Sequence, residues 1–177
     1  MTCLNLNGQQ SWPQKTPSFP LQNYNFQPSE LLVLEMLRLY CQNYADPSSH
    51  AWDKVFVLGE EELGPYDGAW VVSAVGGLIR AIRNGRRRSF EFIVSCCPSC
   101  RQQICTTELN ALWLVQAART ENIVAMETAA VLTLDGHNTK DLVLSAQHLG
   151  SVLREAFPEE RHHRYKPSLT GYPGSTH

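Results

Sequence analysis

The sequence predicts a mainly helical α+β domain in which a short strand leads into a cysteine-rich turn resembling a metal knuckle. Three observations carry that expectation. Apolar residues recur at spacings of three and four over most of residues 30–157, the period of helices that bury one side. Phe90, Phe92, Ile93 and Val94 make 90–94 a strand candidate, rich in aromatic and β-branched side chains. Immediately after it, residues 95–107 hold four of the six cysteines, at Cys96, Cys97, Cys100 and Cys105.

The first segment, 1–28, is rich in Asn, Gln, Ser and Pro and carries a single charge, Lys15. Such a composition forms no core of its own. Its aromatics Trp12, Phe19, Tyr24 and Phe26 suggest an arm partly extended across the folded body. A single domain is expected over 29–157, followed by a flexible polar tail over 158–177 that includes the pair His162 and His163.

Within the domain, Ser29 is a candidate N-cap for a helix over 30–44, whose many apolar positions leave Glu35, Arg38 and Gln42 as a narrow wet side. Cys41 on that helix reads as a small buried hydrophobe. Asp46 and Pro47 stop it, and a short second helix follows over 50–58. Glu60, Glu61 and Glu62 form a solvated acidic edge, and Asp67 caps a third helix ending at Asn84 and Gly85. Gly76 and Gly77 inside it imply a close backbone contact, because glycine weakens a helix interior by roughly 1 kcal/mol relative to alanine. Trp52, Trp70 and Trp113 read as core residues. Beyond the cysteines, Thr106 or Thr107 caps a helix over 108–119, a break falls at 120–122, and 123–134 is assigned to helix. Asp135 to Asn138 is a turn, and Thr139 caps a last helix that Pro158 ends.

Length and charge restrict the function. A chain of 177 residues, 43% hydrophobic and 18% charged, can bury a core without disulfides. A net charge of −2 gives no global attraction to nucleic acid or anionic membrane. The start lacks a basic, then apolar, leader, so a cytoplasmic location is expected. The uncharged stretch 68–79 is shorter than the roughly 20 residues of a membrane span. In a reducing compartment, clustered cysteines bind metals or react more often than they form bridges.

The cysteine turn carries the main chemical expectation. Cys97 and Cys100 have the Cys-x-x-Cys spacing that supplies two of zinc's four tetrahedral ligands, and Cys96 and Cys105 are the neighbours able to complete the set. One of those two could instead be replaced by His137, His148 or a tail histidine, or ligands could be shared across a homodimer. Zinc is the favoured ion, with an iron–sulfur cluster second.

Cys97-Pro-Ser-Cys100, placed between a strand and a helix, resembles the active turn of thioredoxin-like and glutaredoxin-like proteins over about fifteen residues. That resemblance implies a thiol made reactive by a helix N-terminus and by Arg101. The helix expected at 108–119 departs from it, because that fold continues with a strand.

Arg80, Arg83, Arg86, Arg87 and Arg88 place five of fifteen cationic residues within nine positions, with Arg101 beyond the turn. Guanidinium forks match phosphate and carboxylate oxygens. The ridge is therefore a candidate contact surface for a protein or nucleic acid. No Gly-x-Ser-x-Gly, phosphate loop or His-Glu-x-x-His supports an enzyme. The expected function is a non-enzymatic regulator or adaptor with a structural zinc site; the competing one is a thiol redox sensor or oxidoreductase using Cys97 and Cys100.

Overall fold

The computed structural model describes residues 17–95 and 98–162. Cys96, Cys97, Trp12 and the tail histidine His163 lie outside the described residues. The elements in chain order are β1 (Ser18–Pro20), α1 (Pro28–Ala45), α2 (Ala51–Gly85), α3 (Pro98–Arg101), β2 (Gln103–Cys105), α4 (Thr106–Arg119), α5 (Ile123–Thr133) and α6 (Lys140–Ala156). The protein is mainly helical, as its periodicity indicates.

The strand is not where its composition suggests. Residues 90–94 run without ladder pairing, and the backbone N–H of Ile93 donates to the Glu108 carboxylate instead. The strand lies on the other side of the cysteine turn, where β2 pairs antiparallel with β1, Ser18 opposite Cys105 and Phe19 opposite Ile104. The N-terminal arm thus supplies the partner strand. Phe19, Leu21, Tyr24 and Phe26 then lie against Leu34, Ile104, Leu109 and Leu112, forming a small second core beside the main one.

The capping residues also differ from expectation. Gln27 caps α1, in a reciprocal box with Glu30, because Ser29 is buried and bonded to the Glu160 carboxylate. Cys105 rather than a threonine caps α4, paired with Glu108 in the same way. Thr139 precedes α6 as expected but contributes no side-chain cap bond.

The two expected helices between residues 50 and 85 meet at a kink. Gly64 adopts φ +78°, a backbone region that suits glycine, and Pro65 opens the second half with its φ already set for a helix. Asp67 is therefore inside the helix, not its cap. The halves fold back so closely that Gly68 lies against the backbone of Gly59. The first half turns Trp52 outward, 45% exposed, with its ring edge-on to Tyr40 and tilted against Phe56. Trp70 on the second half is 66% exposed, so neither residue is core, whereas Trp113 is half-buried between the two clusters. Of the adjacent glycines, Gly76 is held close to the Tyr40 hydroxyl, while Gly77 meets nothing.

The second half of α2 delivers Val71, Val75, Leu78 and Ile82 into the main core, between α1 and α6. Helix α4 is the most enclosed element, with ten of its fourteen residues buried, and it packs on α5 and α6. Helix α1 runs antiparallel to α4. Glu30 at one end accepts from Arg119 Nε at 3.0 Å, and Arg38 toward the other end donates to Glu108 at 2.8 Å. Arg38 is only 2% exposed and faces α4, whereas Glu35 and Gln42, the other members of the stripe read as wet, stay half-buried. Past α6, the turn Pro158–His162 brings the buried Glu160 onto Ser29 and Arg119, so the segment after Pro158 begins anchored.

Candidate functional site

The turn carrying the cysteines is held at both of its stems by one buried ion pair. Arg38 Nε and Nη2 donate to the two oxygens of Glu108, at 2.8 and 3.1 Å. The same guanidinium donates to the carbonyl of Gln103 at 2.6 Å and, at 3.4 Å each, to the carbonyl of Arg101 and the hydroxyl of Ser95. Glu108 accepts in addition from the backbone N–H of Ile93 and of Cys105, both at 3.0 Å. Ile93 and Ser95 lie before the turn, and Arg101, Gln103 and Cys105 after it. Neither charge is left unpaired, which is the condition for burying an ion pair without a large desolvation loss.

The structure brings the predicted site residues together only in part. Cys100 lies half-buried in α3. Cys105 is buried, donates its S–H to the carbonyl of Glu91 at 3.3 Å and receives the Glu108 N–H as cap. A thiol at a helix N-terminus ordinarily ionises more readily. Here burial, reinforced by the Glu108 carboxylate, pushes Cys105 up to about 12. Burial does the same to Cys41, also to about 12. Among the described residues, no three His, Cys, Asp or Glu side chains form a group that could hold a metal ion. His137 follows α5 in the turn to α6, and His148 is exposed on α6.

Both thiols hold their protons in the folded chain beyond the ordinary value of 9.0 and lose them there once it unfolds. Their contribution is therefore complete below pH 9 and disappears as pH rises toward 12. Stability should fall through that window with a slope approaching ~1.4 kcal/mol per pH unit for each thiol. Urea midpoints at pH 8 and pH 10.5 measure the loss, which should shrink in the Cys41→Ala/Cys105→Ala double variant. Equal losses in both proteins would rule the thiols out as its source.

The arginine ridge is divided by its contacts. Arg86 is drawn inward, bonded to the carbonyl of Thr133, ion-paired with Asp135 at 3.4 Å and placed over Phe90. Arg83 stacks on the ring of Tyr44, 3.7 Å from its centroid. Arg80, Arg87, Arg88 and Arg101 are exposed.

Two further surface features have no counterpart in the sequence reading. Helix α5 leaves Ile123, Val124, Val131 and Leu132 between 42% and 74% exposed. Beside them a cavity of about 310 Å³ opens between α4 and α5, with Trp113, Ala117, Ala129 and Leu132 in its walls. The signal for α5 was present, since 123–134 carries apolar residues on every side and Glu127 as its single charge, more apolar surface than one buried side requires. Another cavity, about 220 Å³, lies beside α1 and α2 under Phe90 and Phe92. Among the described residues, no helix is long and apolar enough to cross a membrane. Compared with family models, curated proteins and solved structures, the chain matches none of them.

Proposed function

We propose that the protein is a non-enzymatic regulator or adaptor that presents a zinc-stapled cysteine turn to a protein partner. The observation that carries this reading is the Arg38–Glu108 clamp, which invests a buried ion pair in fixing the stems of a short surface turn. Zinc would draw first on Cys96, Cys97 and Cys100. Cys105 joins them only by surrendering its proton and its bonds to Glu91 and Glu108, a cost that metal binding can meet because ligand thiols ionise on coordination. Arg87, Arg88 and Arg101 flank the turn as the charged part of the contact surface. The exposed apolar residues Ile123, Val124, Val131 and Leu132, with the exposed Glu127 among them and no cation, favour a protein over a nucleic acid, since exposed apolar patches mark protein contacts and phosphate binding needs cations.

Elemental analysis combined with thiol titration tests the metal. About one zinc per chain, lost together with thiol protection in the Cys100→Ser variant, is the expected result. A metal-free protein with one fast-reacting thiol at Cys97 or Cys100 would overturn it in favour of thiol redox chemistry. For the partner, binding to duplex DNA across a salt series should be as weak in the wild type as in the Arg87→Ala/Arg88→Ala/Arg101→Ala variant. A salt-dependent affinity that this variant abolishes would place the partner among nucleic acids.

A further inference from the structure

We infer that the 220 Å³ cleft formed by α1, α2 and the Phe90–Phe92 segment is a binding site for a small apolar monocarboxylate, with Arg83 as its anion anchor. The walls are Leu37, Ile79, Ile82, Phe90 and Phe92, side chains that offer the ligand body no polar atom. The Cys41 thiol in the same lining keeps its proton through neutral pH and so adds no charge. Leu37 and Ile82 are buried whereas Tyr44 and Arg83 are exposed, which puts the aromatic ring and the guanidinium at the mouth.

Arg83 is held there by its stacking on Tyr44. No carboxylate among the described residues forms an ion pair with it, unlike Arg38, Arg86, Arg119 and Arg154. An apolar chamber with one unneutralised cation at its rim fits a ligand with one anionic end and an apolar body. The volume falls below the roughly 300–1,000 Å³ of drug-sized sites, so the ligand is a fragment of about ten heavy atoms. A carboxylate is the head group because a single fork at the rim matches two oxygens in one plane.

Sodium octanoate and 3-phenylpropanoate, titrated into the full chain and followed by amide chemical shifts, test the site. At least one should saturate with a Kd on the order of 0.1–1 mM, shifting residues around Leu37, Ile82 and Phe92. Arg83→Ala should weaken that binding about tenfold and Arg83→Lys less, while Arg80→Ala, on the exposed side one turn earlier, leaves it unchanged. Octan-1-ol, which keeps the tail and lacks the charge, should bind the wild type about tenfold more weakly than octanoate does. This comparison does not depend on how any variant folds. Failure of both acids to saturate, or equal affinity of wild type and Arg83→Ala for the acid that binds, would overturn the assignment.

Discussion

Replacing Arg38 with methionine should lower stability by about 3–5 kcal/mol, the typical result of removing one member of a buried ion pair. The loss is large because Glu108 is fully buried and would be left with no cation beside it. Carbonyls at Gln103 and Arg101 would lose their donor at the same time. Glu108→Gln should cost less than Arg38→Met, since an amide can still accept from Ile93 or Cys105 while losing the charge attraction. Combining Arg38→Met with Glu108→Leu separates two ideas of what the pair does. If it only filled space, the double variant would return to wild-type stability, as buried pairs exchanged for apolar residues often do. Because it also serves backbone groups on both stems of the turn, recovery should be incomplete, and amide exchange at Ile93 and Cys105 should stay fast. Urea denaturation with hydrogen exchange reads both quantities. A loss under 1 kcal/mol for Arg38→Met would mean that the turn is held by something else.

How legible this clamp was depends on what periodicity can report. A three- and four-residue repeat separates the sides of a helix, and it placed α1, α4, α5 and α6 close to where they lie. It does not distinguish a side that faces water from one that faces a complementary charge. Arg38 therefore read as wet, although its partner Glu108 stands seventy residues away. Glu30 with Arg119 was hidden in the same way, and burial raises the Glu30 carboxyl above its ordinary range even against that arginine. The strand is a second case. Residues 90–94 have strand-forming side chains, yet strand pairing needs a partner, and the partner went to Gln103–Cys105, too short to show a pattern. Trp70 shows the limit for aromatics, since size suggests burial and only the kink at Gly64 decides which way the helix turns. For the candidate site, the cysteine spacing was plain in the sequence and its support was not.

The kink supplies the second large effect. Alanine at Gly68 would put its Cβ 2.3 Å from the carbonyl oxygen of Gly59 and 2.5 Å from its carbon, distances that real methyl groups do not show. The obstacle is backbone, not a flexible side chain, so the halves of α2 must separate. That separation pulls Val72, which packs over Gly59, away from the main core. Overpacking usually costs 1–3 kcal/mol, and a rigid obstacle puts Gly68→Ala at about 3 kcal/mol, or a melting temperature lower by roughly 6–12 °C for a chain of this size. Gly77→Ala is the internal control, nine residues along the same helix, with nothing within 4 Å of the new Cβ. There the gain in helix propensity should stabilise by about 0.5–1 kcal/mol. If thermal melts moved both variants in the same direction, propensity rather than the crossing would govern α2. Opposite signs would establish the Gly59–Gly68 contact as what fixes the angle between its halves, and with it the outward turn of Trp52 and Trp70.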